Sequence, residues 1–149
     1  MKHFILASIL SIILAWYPDF DPGTFFMQSD IDLMARVVMS EASTQCFDCK
    51  HAVAATILNR YRSGIYSDDI SEIIRGQYST KNNGTPTEEC YDAVYAAIAW
   101  PDAFPEDMFY FRDTHYHTFG HPYNKFGNLY FSTKYKQIPY MEGEVFDYD

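Results

Sequence analysis

Positive charge is scarce in this chain: eleven Lys plus Arg stand against twenty Asp plus Glu, for a net charge of -9. Phosphate binding needs a basic footprint, so nucleic acid is excluded as a partner. The same deficit removes long-range attraction to an anionic polymer and leaves recognition to local groups. Long apolar runs are scarce too. Residues 4–17 form a run of fourteen, preceded by a single Lys and followed by Asp19 and Asp21. That is short for crossing a bilayer and has the length and polarity of a secretory h-region, which predicts export. No small-x-small cleavage site precedes Trp16-Tyr17-Pro18. The segment is therefore read as a signal peptide or as a signal anchor attaching the chain to a membrane, with an apolar helix packed on the domain as the plainer alternative.

Cysteine is limited to Cys46, Cys49 and Cys90. In an exported chain a disulfide is favoured, 46 to 49 or 49 to 90, leaving one thiol over. Free thiols, a structural zinc with His51 as fourth ligand, and a Cys nucleophile with a His partner are the alternatives. A helical His-Glu-x-x-His pattern is missing. His115, His117 and His121, spaced His-x-His-x-x-x-His after Asp113, are accordingly read as forming a loop or holding substrate rather than as a catalytic zinc site. No metal or cofactor is expected.

Aromatic residues are abundant, at 18% with thirteen Tyr and twelve Phe. They line a small aromatic core or present stacking faces to sugar rings; composition leaves both readings open. The length of 149 residues holds one domain. Residues 1–27 are assigned to the export segment and a linker containing Pro22 and Gly23, and residues 28–149 to the domain, expected as a monomer. The tail, 142–149, is acidic.

Residues 30–60 organise the rest. Ile31, Met34, Val38 and Ala42 share one helical face, with Ser29 as N-cap and Asp30 and Asp32 against the first-turn amides. Glu41 follows Val37 by four residues and Val38 by three, so its carboxyl leaves the apolar side near the helix C-terminus. Desolvation and the negative helix end both favour the protonated form. A protonated glutamic acid is what glycoside cleavage needs at the leaving oxygen. The plainer reading is a Glu41 that curls into solvent or caps a backbone group.

A second helix is expected over 52–62, with small Ala at 52, 54 and 55 for close approach and Gly64 as a stop. Its Asn59 either meets Glu41, or substrate, or bonds a loop backbone group. A short capped helix over 67–76 ends on Gly76 and delivers Gln77-Tyr78-Ser79 as a loop of neutral donors, acceptors and one ring. Thr85, Pro86 and Glu88 signal another helix start, Cys90, Ala93, Val94, Ala97 and Ile98 form its stripe, and Pro101 closes it. Residues 108–112 and 129–133 read as strands. The architecture expected is α+β, mainly helical, with a small late antiparallel sheet.

The run Glu41-Ala42-Ser43-Thr44-Gln45, continuing to Val53-Ala54-Ala55-Thr56-Ile57-Leu58-Asn59-Arg60, resembles the SleB-type cell-wall hydrolases, the spore-cortex-lytic family. There a helix ending Glu-Ala, a short polar loop and Val-Ala-x-x-Ile-Leu-Asn-Arg follow one another. Gly76-Gln77-Tyr78-Ser79 is similar to the family's Gly-Gln-Phe-Ser. Residues 108–111 and Phe126-Gly127-Asn128-Leu129-Tyr130-Phe131 are similar to its closing strands. The resemblance implies a lysozyme-like fold and a lytic transglycosylase acting on peptidoglycan. In such an enzyme one glutamate, here Glu41, protonates the glycosidic oxygen and then acts as base, while Gln77, Tyr78, Ser79, Asn59 and Tyr110 hold the glycan. Two positions depart from the family pattern: Gln45 where a second glutamate is common, and Leu129 where a histidine is frequent. A hydrolytic muramidase, and a weakened wall-binding or virion-associated module of the endolysin kind, are the other functions the sequence allows.

Overall fold

The computed structural model describes residues 26–78 and 84–136. The expected export segment, the linker, Ser79 and the acidic tail lie outside the described residues.

Helix α1 spans Gln28–Ala42 and α2 spans Phe47–Arg62. Helix α3 runs over Ile70–Gln77 and α4 over Glu88–Ala99, before a 3₁₀ turn at Pro101–Ala103. Strands β1 (Met108–Arg112), β2 (His121–Phe126) and β3 (Leu129–Thr133) form an antiparallel sheet in the order β1-β3-β2. This is the α+β arrangement expected, helices first and sheet last.

The centre of the domain is α2. From Ala52 to Arg60 every residue is buried, because α1, α3, α4 and β1 pack around it. A helix with apolar residues on all sides is stable only when enclosed in this way. Met34, Val37 and Val38 of α1, Val53, Ile57 and Leu58 of α2, Ile73 of α3, Val94 of α4, Met108 of β1 and Phe131 of β3 are all close to zero exposure. Replacing Ile57 by Ala is expected to lower unfolding free energy by about 2–5 kcal/mol, read from denaturant titration, since neighbours on four sides restrict collapse into the cavity.

The starts of all four helices differ from expectation, each for a local reason. Helix α1 begins after Met27, whose backbone N–H donates to Asp30 at 3.3 Å, so Asp30 does the capping expected of Ser29. Helix α2 begins at Phe47, so Cys49, Lys50 and His51 are helical; buried Lys50 is neutralised there by Glu89 of α4. Helix α4 takes Thr87 as its N-cap, two residues beyond Thr85. In α3, the Asp69 carboxylate accepts the N–H groups of Ser71 and Glu72 at 2.7 and 3.4 Å, the helix continues one residue past Gly76, and Gln77 closes it.

Strand β2 replaces the expected loop. It is an edge strand exposed over its first five residues and contains Pro122, so it shows no alternating apolar pattern.

The expected disulfides are corrected. All three cysteines are free thiols. Cys46 is exposed at the α2 N-cap, whereas Cys49 is turned into the core against the Leu129 backbone. Cys90 lies 3.3 Å from the Thr87 hydroxyl and 4.0 Å from Met39 sulfur. Burial, with the neighbouring Cys46, pushes the Cys49 thiol up to about 12, which leaves it a poor nucleophile at neutral pH.

Candidate active site

Glu41 is the penultimate residue of α1, half-buried where that helix meets α2 and the end of α3. One marker of its position is Tyr78, the residue that caps α3. Burial raises the Tyr78 phenol, Arg60 opposes the rise, and the Glu41 carboxylate adds to it, so the carboxylate and the phenol lie within electrostatic reach.

Tyr78 is fixed from the core side. The Thr56 hydroxyl donates to the Val53 carbonyl at 2.8 Å and lies 3.1 Å from the Tyr78 oxygen. With the Thr56 proton engaged, the phenol supplies the hydrogen of the second bond. Tyr78 therefore forms a wall of the site instead of swinging freely as a loop residue would.

Arg60 is 7% exposed, and sequence reasoning assigned it no role. Its Nε donates to the Phe109 carbonyl at 2.9 Å, Nη2 donates to the same oxygen, and Nη1 donates to Gln77 Oε1 at 3.3 Å. The guanidinium carbon is 4.9 Å from the Tyr78 ring centroid and 5.2 Å from that of Tyr66. Thr56 and Arg60 are one turn apart on α2, so both meet Tyr78. A Thr and an Arg four residues apart inside a buried helix were the available signal. Burial pushes the Tyr66 phenol up to about 12 against the pull of Arg60, and the neighbouring Tyr110 phenol adds to the rise.

The expected residues thus separate. Glu41, Gln77 and Tyr78 come together around Arg60, and Tyr110 joins them through Tyr66. Asn59 does not. It is buried, and its amide nitrogen donates to the carbonyls of Pro105 and Met108 at 2.8 and 3.2 Å. Both of its N–H groups are committed to holding the segment before β1, so the expected substrate contact is corrected to the loop-backbone role.

The histidines serve the β1 to β2 connection. His117 Nε2 lies 3.2 Å from the Phe111 carbonyl and donates to it. His115 sits 2.8 Å from the Thr114 hydroxyl and 3.4 Å from Arg112, while His121 opens β2. Desolvation lowers the His117 pKa, with Arg112, His115 and Arg60 adding to it, which keeps the ring neutral.

Gln45, four residues after Glu41, has a definite task. Its Oε1 accepts the Asn128 N–H at 2.9 Å across the tip of the β2 to β3 turn. Gly127, at φ 55, is pressed against the same side chain, and a methyl group there would overlap Gln45 Oε1. Gly127→Ala is expected to cost about 1–2 kcal/mol from the left-handed backbone alone, and to detach the turn from the loop behind Glu41. Thermal melting reads the first effect, and loss of protection of the Asn128 amide in hydrogen exchange reads the second. Gln45→Glu keeps an accepting oxygen and should preserve that protection.

A family profile described as Cell Wall Hydrolase matches residues 44–136. The chain belongs to this cell wall hydrolase family. Glu41 stands three residues ahead of the matched span. A spore cortex-lytic enzyme from Oceanobacillus iheyensis is 33% identical over 93 residues, 58% of this chain and 34% of that protein. The chain thus spans about a third of the length of this curated relative. The catalytic domain of the germination-specific lytic transglycosylase SleB from Bacillus anthracis is 26% identical, with a TM-score of 0.64 over 74% of this chain and 98% of that one. The Bacillus cereus SleB catalytic domain has a TM-score of 0.62 at 26% identity, covering 74% of this chain and 94% of its own. The cell wall hydrolase fold here is the lysozyme-like one, matched almost across the full length of the SleB catalytic domains.

Proposed function

We propose that this chain cleaves the glycan strand of peptidoglycan as a lytic transglycosylase, with Glu41 as the single acid and base. The observation that carries the reading is Glu41 half-buried at a helix end beside Tyr78 and the Arg60 cluster, within a chain of this family.

In the proposed reaction the Glu41 carboxyl gives its proton to the oxygen of the MurNAc-GlcNAc bond, and the C1–O bond breaks as positive charge develops on the muramic ring. The Glu41 carboxylate then takes the proton of the muramic C6 hydroxyl, whose oxygen closes on C1. The product is a 1,6-anhydro end, Glu41 is protonated again, and no water is consumed. Gln77 and Tyr110 offer polar groups to the glycan beside this centre, with Ser79 next in the chain.

A water-activating second carboxylate is not required. Asp48, Glu72 and Asp113 are exposed on other elements, and Glu72 accepts the Ser67 hydroxyl at 2.7 Å. The one-glutamate route needs no partner acid, whereas the hydrolytic one needs carboxyl groups about 5–10 Å apart across the bond. The substrate lies outside the cytoplasm, and the apolar run at 4–17 is the proposed export address or membrane attachment, with residues 28–149 as a monomeric catalytic domain.

Incubating the purified protein with peptidoglycan and weighing the muropeptides tests the reading. Anhydro-muramic ends are the expected product. Reducing ends would make it a muramidase, and intact wall would make it a binding module.

A further inference from the structure

Phe119 is a large ring left 67% exposed on the connection between β1 and β2, yet it is held on its inner sides. The His117 ring lies 4.5 Å away at 37°, and the Tyr110 ring 5.0 Å away at 89°. The backbone beneath it is pressed onto the sheet: a Cβ at Gly120 would sit 3.0 Å from the Thr133 carbonyl oxygen and 3.1 Å from the Tyr110 ring. Leaving such a ring in water forgoes the stabilisation of burial, about 1.5–3 kcal/mol for a Phe side chain. Fixing it there as well suits a ligand that takes the exposed face.

The ring is continuous with the site already described. Tyr110, which supports Phe119, is close enough to raise the Tyr66 phenol; Tyr66 lies against Arg60, which reaches Gln77 and Tyr78 beside Glu41. The local charge also differs from the chain's total. From Met108 to Lys136 the sequence carries Arg112, Lys125, Lys134 and Lys136 against one acid, Asp113, in a chain of net charge -9. The stretch that forms the sheet is thus net basic within an acidic protein, which lessens its repulsion of an anionic polymer.

We propose that Phe119 is a stacking platform for a pyranose ring of the glycan strand, away from the bond beside Glu41. The apolar C–H face of the sugar lies on the open face of Phe119, while His117, anchored by its donation to the Phe111 carbonyl and with its pKa lowered by desolvation, backs the ring. This inference rests on the peptidoglycan reading above and specifies where the strand extends.

Two measurements separate the platform from the chemistry. In the first, cleavage of long glycan strands is followed for wild type, Phe119→Ala and Phe119→Trp. Phe119→Ala is expected to raise KM about five- to tenfold with kcat changed less than twofold and Tm unmoved, and Phe119→Trp to restore KM. In the second, Glu41→Gln protein, with and without Phe119→Ala, is sedimented with intact wall sacculi. The double variant should bind about five- to tenfold more weakly. Equal binding and equal KM would overturn the platform while leaving the enzyme reading intact. Weaker sacculus binding by a protein whose wild type never cuts wall would keep the platform and overturn the enzyme. Failure of the Glu41→Gln protein to bind sacculi at all would overturn the platform, as would a Phe119→Ala change that alters only self-association in analytical ultracentrifugation.

Discussion

Glu41→Gln is expected to lower peptidoglycan cleavage by about 10²–10⁴-fold, the usual contribution of a positioned acid and base. The amide keeps the shape of the carboxyl but neither gives a proton to the leaving oxygen nor takes one from the muramic hydroxyl. Because Glu41 is half-buried at the last turn of α1, beyond the fully buried Met34, Val37 and Val38, its replacement leaves the core untouched. Tm should stay within a few degrees of wild type. Tyr78 gives an independent check: with the neighbouring negative charge gone, its phenol should titrate at lower pH than in wild type, because Glu41 is among the groups that hold it up. A turbidity assay on purified sacculi reads the first effect and ultraviolet difference titration of tyrosine the second.

Arg60→Met is expected to be the most damaging single change away from Glu41. It removes two donors from the Phe109 carbonyl and the one to Gln77, and it leaves Tyr66 and Tyr78 without the guanidinium between them. A buried carbonyl losing charged partners costs about 1.5–3 kcal/mol, and the ring contacts add about 1 kcal/mol, so a loss of about 3–4 kcal/mol is expected in denaturant unfolding. Arg60→Lys should recover a minor part, since an ammonium is a point donor that cannot reproduce the planar fork onto Phe109 and Gln77 together. Cleavage should fall in both variants beyond what unfolding explains, because Tyr78 loses one of the two supports that set its position beside Glu41. Activity measured well below the melting range separates the two contributions.

How much of this was legible beforehand depended on whether an element faces the core. The bounds of β1 and β3 agree with the sequence reading because their burial writes an apolar pattern into the chain. Strand β2 carries no such pattern: five of its six residues face solvent, and its pairing with β3 is set by the Gly127 turn and by backbone bonds that any side chain permits. The start of α2 was obscured because Cys46, Asp48 and Lys50 look like loop residues, while the Glu89 partner that lets Lys50 be buried lies 39 positions away. Glu41 was visible as a carboxyl on an apolar face. Arg60 was not, since its role comes from contacts with Phe109, Gln77 and Tyr78, all distant in sequence, as well as with nearby Tyr66. For Asn59 the sequence left several partners open, and the loop-backbone alternative is the one its amide adopts, on the distant carbonyls of Pro105 and Met108.

Gln45 shows how a departure from a family pattern finds a physical explanation. The position after the Glu41 helix needs an oxygen that accepts the Asn128 amide, and glutamine supplies it without adding a second negative charge near Glu41. Leu129, where a histidine is frequent, opens β3 at 6% exposure with its side chain in the core. An apolar residue suits that environment.

The most direct test is digestion of peptidoglycan in water enriched in the heavy oxygen isotope. If one glutamate both gives and recovers the proton while the sugar's own hydroxyl closes the ring, the new muramic ends carry no heavy oxygen and have the anhydro mass. Heavy oxygen appearing at those ends would mean that water attacked, and would contradict the account.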